Sequence, residues 1–261
     1  MFNEELIAAK VAARNVGKIL IKHLESYSQD IQYKKESGNS PVTAADYEAD
    51  QYLAKFLGGE FPHDGWLSEE TVDTSDRLEK KRVWIVDPLD GTKEFIKKLP
   101  EFCVSIGLVE DSIPVVGVIY NPISDEMFYA QKNKGAFLNA NQIKISNVQD
   151  IKDASIVVSR SEHAKGLWND YKSHFSSIKS IGSIAYKLGL AASSLYDITA
   201  TVAPKNEWDI CAGDCIINEA GGVMKKITGD SIIYNQKKTL VTDPIIATNS
   251  MLFDSISDLL Y

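Results

Sequence analysis

The chain has 261 residues, 44% hydrophobic and 25% charged, an ordinary globular make-up long enough for one large domain or two intimate halves. Its 36 acidic against 28 basic residues give a net charge of -8, and no dense Lys/Arg patch occurs, which argues against a nucleic-acid partner. Three cysteines (Cys103, Cys211, Cys215) and four scattered histidines argue against a disulfide framework and a zinc site, so the cysteines are expected as small buried hydrophobes.

Residues 4–26 place Leu6, Ile7, Val11, Val16, Ile19, Leu20 and Leu24 at amphipathic-helix spacing. Acids come early there and no apolar run is unbroken, so it does not read as a signal peptide. No segment reaches the roughly 18 apolar residues of a membrane span. A soluble, cytoplasmic protein is expected. "SGNSPV" (37–42) reads as a loop, and a second helix is predicted from Thr43 past Phe56, with Tyr52, Leu53, Phe56 and Leu57 inward. "GGEFPHDG" ends it. Strand-like runs follow: "VWIVD", "FCVSIGLVE", "IPVVGVIYN", "EMFYAQ" and "GAFLN". They predict a mostly antiparallel sheet packed by the two helices. The second half alternates: "ASIVVSR" as strand, "GLWNDYKSHF" and "IAYKLGLAASS" as helices, "DITATVA" as strand, and "WDICAGDCIINEAGG" as a helix closed by Gly221–Gly222. That rhythm is α/β. The expected division is an N-terminal α+β half, 1–150, and a smaller α/β half, 151–261.

Four acidic stretches stand out. In "VDPLDGTKEF" an apolar strand (Val83–Val86) runs into Asp87 and Asp90, three apart, with Pro88 stiffening the turn. Buried carboxylates are costly unless their charge is offset, and carboxylate oxygens are the ligands Mg²⁺ prefers. Gly91 allows close approach to the backbone, and a short helix predicted over 92–98 offers free N–H groups to a phosphate. A plain turn would also use Asp-Pro and Asp-Gly; the buried strand in front favours function. "LSEE" adds Glu69 and Glu70, which alone mean little. In "SPVTAAD", Thr43 and Asp46 read as a capping box, a role that coexists with a catalytic one because a carboxylate at a helix N-terminus stays ionised. In "EWDICAGDCIINEAGG", Asp209 is expected as the N-cap, with Trp208, Ala212 and Gly213 suggesting tight packing around it. No G-x-S-x-G elbow, P-loop or G-x-G-x-x-G is present. The D-x-D-G-T of haloacid-dehalogenase-type phosphatases has a different spacing.

"LSEE", "WIVDPLDGTKEF" and "WDICAGDCIINEAGG", in that order over residues 5–250, resemble the inositol monophosphatase superfamily of metal-dependent, lithium-sensitive phosphatases. Within it, "NSPVTAAD", "DPLDGTKEFIK" and "SRSE" resemble the bacterial 3'(2'),5'-bisphosphate nucleotidases of the CysQ type, with Lys93-Glu94-Phe95 the discriminating triplet. The resemblance implies a layered αβαβα sugar-phosphatase fold. It also implies Mg²⁺-dependent conversion of adenosine 3',5'-bisphosphate to AMP and phosphate, a step that supports sulfate assimilation. By the same resemblance Glu69 (rather than Glu70), Asp87, Asp90, Asp209 and the Leu89 carbonyl would ligate two or three Mg²⁺. Gly91 and Thr92 N–H groups would hold the scissile phosphate. Asp46 and the Thr92 hydroxyl would orient the attacking water. Lys93, Ser183, Lys187, Lys205 and Asp209 would contact substrate. Two departures bear on the substrate. Tyr186 stands where that branch carries a Lys, and Thr201 lies near the place of its Arg. Either Lys187 and Lys205 substitute, or the substrate is an inositol or other sugar phosphate with less charge at its far end. A third reading is a non-catalytic binding protein that keeps only the fold. The superfamily often forms homodimers, while the nucleotidase branch is frequently monomeric.

Overall fold

The computed structural model describes residues 2–26, 31–34 and 40–261. Helix α1 (Asn3–Glu25) and α2 (Ala44–Glu60) are separated by strands β1 (Ile31–Lys34) and β2 (Ser40–Thr43), which pair antiparallel. Of the loop expected at 37–42, residues 37–39 lie outside the described residues and 40–42 belong to β2. The face that α1 buries is built from Ala9, Ala12, Ala13, Val16 and Leu20. Ile7 and Val11, expected inward, are exposed, because small alanines let the helix seat closely on the sheet and the branched residues fall on its other side.

A seven-stranded sheet follows in the order β3 (Gly65–Ser68), β4 (Arg82–Asp90), β5 (Cys103–Glu110), β6 (Ile113–Asn121), β7 (Glu126–Gln131), β8 (Ala136–Leu138) and β9 (Asn141–Ile143). Only the β3–β4 pair is parallel. Strand β4 explains its own unbroken apolar run. Trp84 and Val86 face the core under α1 and α2, whereas Val83 and Ile85 face a second core on the other side of the sheet.

That second core belongs to α5 (Ile184–Ala192) and α6 (Glu207–Glu219), which lie between this sheet and a five-stranded one. The latter has the order β11 (Ser177–Ile181), β10 (Ser155–Ser159), β12 (Ile198–Thr201), β16 (Ile245–Thr248) and β14 (Val223–Lys226). Its first three strands are parallel. A third core, with Trp168 and helix α7 (Phe253–Leu260), covers its far face. The layers therefore run α, β, α, β, α. Short pieces join these elements: a 3-10 turn at Ser75–Glu79, α3 (Thr92–Ile96), α4 (Arg160–Ala164) and the pair β13 (Lys205–Asn206)–β15 (Leu240–Val241).

The predicted helix at "GLWNDYKSHF" is absent. Residues 166–171 form turns and only Lys172–His174 makes a 3-10 turn. Gly166 at φ +76 and the burial of Trp168 hold the segment as a loop. No helix among the described residues is long and apolar enough to cross a membrane.

One packing detail decides where the acids meet. Gly107 of β5 and Gly117 of β6 are cross-strand partners beneath α6. A Cβ at Gly117 would lie 2.3 Å from the Ala212 carbonyl oxygen, and one at Gly107 would lie 2.6 Å from Cys211 Sγ. The two glycines let α6 press onto the sheet, which carries its N-terminal turn to the end of β4. The three cysteines are free and buried, as expected.

Candidate active site

A regular strand points residues i and i+3 to opposite faces. Asp87 pairs with Ser105 and Asp90 with Cys103, so three steps on β4 match two on β5. This one-residue bulge at Pro88-Leu89 cancels the mismatch and turns both carboxylates to the same side. Gly91 at φ +102 then reverses the chain into α3, and a Cβ there would sit 2.9 Å from the Glu101 carbonyl oxygen. The predicted helix over 92–98 closes earlier, at Ile96.

Asp209 comes from α6. It is not the N-cap but the third helical residue, with Asn206 capping, and its Oδ2 accepts the Asn206 backbone N–H at 2.8 Å. Asp46 does the same at α2, where its Oδ2 accepts the Thr43 N–H at 2.7 Å. Two capping boxes thus fix two carboxylates by one oxygen each and leave the other oxygen for the site. At the far end of α6 the cap is Ala220, with Gly221 (φ +87) following in the left-handed conformation.

Asp87, Asp90 and Asp209 converge, each offering an oxygen within 4.8 Å of the others. Glu69, Leu89, Gly91, Thr92 and Lys93 line the same cavity, of about 410 Å³. Burial, and then the charges of Glu69, Asp90 and Asp209, push the Asp87 carboxyl well above the usual range. Burial and the charges of Asp90 and Glu69 push Asp209 up to about 8. Burial also raises Asp90, against the hydroxyl of Ser183 and the N–H of Ala185, which both donate to its Oδ2 at 2.7 and 2.6 Å. An all-oxygen donor set whose members repel one another fits a hard divalent cation such as Mg²⁺.

The Thr92 hydroxyl lies 3.1 Å from Asp46 Oδ1 and 3.2 Å from the Leu89 carbonyl oxygen. Ser183, at φ +53, caps α5 and accepts the Tyr186 N–H. Lys187 is buried, and its ammonium donates to the carbonyls of Ile181, Gly182 and Ser183. It braces the turn that holds Asp90, and none of its three protons is left for a phosphate. Lys205 lines the cavity with its ammonium against the Ala203 and Pro204 carbonyls. The two positions that depart from the nucleotidase pattern are closed: Tyr186 donates to Glu126, and buried Thr201 donates to Glu162.

The sequence singles out "SRSE", which lines the cavity, without naming Arg160 in it, and it missed Lys165 and Glu101. Arg160 and Lys165 line the cavity, and Glu101 accepts hydrogen bonds from Arg160 Nη2 and, at 2.8 Å, the Gly182 N–H. The signal was there in "SRSE", which sits at the carboxyl end of the parallel strand β10, where open α/β sheets bind ligands.

The model of the inositol monophosphatase family matches residues 3–257. The chain is 30% identical over 254 residues to an inositol monophosphatase of Dictyostelium discoideum, covering 94% of this chain and 92% of the relative. It is 33% identical over 232 residues to the 3'(2'),5'-bisphosphate nucleotidase CysQ of Salmonella typhimurium, covering 88% and 93%. The solved inositol monophosphatase from Anabaena superposes with a TM-score of 0.84 at 27% identity, covering 99% of this chain and 96% of that one. With the layered fold and the carboxylate trio at the head of β4 and α6, the match along almost the whole chain shows that the protein belongs to the inositol monophosphatase family, a family of phosphatases.

Proposed function

We propose that this phosphatase hydrolyses the 3'-phosphate of adenosine 3',5'-bisphosphate in a Mg²⁺-dependent reaction, giving AMP and inorganic phosphate. The observation that carries the reading is the cavity. It joins the three carboxylates to a wall bearing Lys93, Arg160, Lys165 and Lys205, in a volume of about 410 Å³. That size suits a nucleotide-sized ligand, and the cationic wall suits a substrate with charge beyond the scissile phosphate.

Asp87, Asp90, Asp209, Glu69 and the Leu89 carbonyl are the groups to hold the metal. Bound Mg²⁺ supplies charge neutralisation for the phosphoryl group and lowers the pKa of water. The chain's own residues do the positioning. The Gly91 and Thr92 N–H groups face the phosphate. The Thr92 hydroxyl, donating to Asp46, accepts a proton from the attacking water and relays its own to that carboxylate. Ser183 and Ala185 hold one oxygen of Asp90, which directs the other to the metal. Such phosphoryl transfer needs positioning and electrostatics more than covalent chemistry. The halves 1–150 and 151–261 divide the labour in this reading: the first supplies most metal ligands, the second Asp209 and the substrate wall.

The test is kcat/KM in Mg²⁺ for adenosine 3',5'-bisphosphate against inositol 1-phosphate. A preference of about 100-fold for the nucleotide, near 2.7 kcal/mol of differential transition-state binding, is expected. Preference for the inositol ester would replace the reading with an inositol monophosphatase.

A further inference from the structure

Arg160 is the first residue of α4, at the carboxyl end of β10. Its guanidinium faces a carboxylate on two sides and is hydrogen-bonded to one of them. Nη2 donates to Glu101, and Nε lies 3.5 Å from Glu94 Oε1. Both carboxylates are themselves fixed. Glu101 accepts the Gly182 N–H at 2.8 Å, and the buried Glu94 packs against Gly182 so closely that a Cβ there would fall 2.2 Å from its carboxyl carbon. Nη1 makes no hydrogen bond to any described residue, although the side chain lines the cavity and is 35% exposed. A planar fork held on one edge and open on the other is preorganised to take an oxyanion, because little side-chain freedom remains to be lost on binding.

The surroundings sharpen this. Lys187 and Lys205, the cations that sequence alone offered for a second anionic group, direct their ammonium protons at backbone carbonyls. Lys165, one turn after Arg160, is exposed at the same cavity, and Lys93 is exposed across it. With two glutamates against one guanidinium, the lysines are what make this end of the cavity attractive to an anion.

We infer that Arg160, with Lys165 beside it, binds the second anionic group of the substrate and so sets selectivity for bisphosphorylated over monophosphorylated esters. The inference rests on the phosphatase reading of the same cavity. It also gives the "KEF" and "SRSE" motifs a common purpose: Glu94 of one holds Arg160 of the other.

The experiment measures kcat and KM in Mg²⁺ for the wild type, Arg160→Gln and Lys165→Gln. The substrates are adenosine 3',5'-bisphosphate and adenosine 3'-monophosphate, with inositol 1,4-bisphosphate and inositol 1-phosphate as a second scaffold. Loss of one charge-assisted contact is expected to lower the bisphosphate-to-monophosphate ratio of kcat/KM by about 10- to 100-fold in Arg160→Gln, through KM. Lys165→Gln, an exposed change that leaves the packing alone, is expected to lower the same ratio by a smaller factor. An equal loss on both members of a pair, or a loss in kcat alone, would show Arg160 to be scaffolding and overturn the inference. So would a wild type that does not favour the bisphosphate on either scaffold. A wild type that favours the inositol pair would remove the nucleotide from the proposed function, while the ratio on the inositol pair still decides the role of Arg160.

Discussion

Neutralising Asp87 is expected to stabilise the metal-free protein and to abolish its response to Mg²⁺. Its ligand oxygen lies within 4.8 Å of those of Asp90 and Asp209. At that separation two unit charges repel by about 3.5 kcal/mol at an effective dielectric constant near 20. Asp87 has two such neighbours, but proton uptake by the trio relieves much of the strain, so about 2 kcal/mol is expected to remain at neutral pH. Asp87→Asn removes that repulsion and keeps the oxygen that accepts the Leu89 N–H at 2.9 Å. For a chain of this size the gain corresponds to a Tm higher by about 4–8 °C in EDTA. Mg²⁺ at about 100 times its Kd is expected to stabilise the wild type by about 2.7 kcal/mol and the variant hardly at all, so the order of the two melts narrows or reverses. Thermal melts of both proteins, with EDTA and with Mg²⁺, read this directly. A variant that melts below the wild type in EDTA, or gains as much from Mg²⁺, would show that Asp87 is neither repelled by its neighbours nor a metal ligand.

Three further outcomes are expected. Asp46→Asn and Thr92→Val should each lower kcat by about 10²- to 10³-fold through loss of proton transfer, while calorimetric Mg²⁺ affinity stays within a few-fold of wild type; a matched loss of affinity would make them metal-site residues instead. Gly117→Ala should destabilise by about 1–3 kcal/mol, because its Cβ meets the Ala212 carbonyl oxygen at 2.3 Å, and should weaken Mg²⁺ binding as α6 lifts Asp209 away. Asp214, bonded to Tyr234 and Asn218, is pushed by burial up to about 7. The folded state holds its proton where the unfolded chain releases it near the ordinary carboxyl value of 3.8. Stability contributed by this group is therefore lost as pH rises from about 4 to 7, by up to about 4 kcal/mol, and urea titrations of wild type against Asp214→Asn should show the difference growing across that window; a constant difference would contradict the assignment.

Much of this site was legible in the chain because its parts are local. Asp87, Asp90 and Gly91 announce themselves by ending an apolar strand, and Thr43 with Asp46 spells a capping box that the fold reproduces. Asp209 was picked out for its packing and yet misplaced within its helix, since Asn206, three residues earlier, is an equally good cap. What stayed hidden depends on distant pairings. The bulge that aligns Asp87 with Asp90 is set by the register on β5. Lys187 lines the cavity yet spends its ammonium protons on backbone carbonyls, because its side chain folds back over the first turn of its own helix. The exposure of Arg160 depends on Glu94 and Glu101, some sixty residues away along the chain. The helix expected at "GLWNDYKSHF" failed because Trp168 is drawn into the core and donates to Glu162, a tertiary contact that local propensity does not register.

The most direct test of the central claim is to crystallise the protein with Mn²⁺ in place of Mg²⁺ and record its anomalous scattering. At least one strong peak is expected at ligand distance from Asp87, Asp90 and Asp209 together, with Ser183 and Ala185 still holding the other oxygen of Asp90. Peaks confined to other carboxylates, or an empty trio at Mn²⁺ concentrations that support turnover, would contradict it.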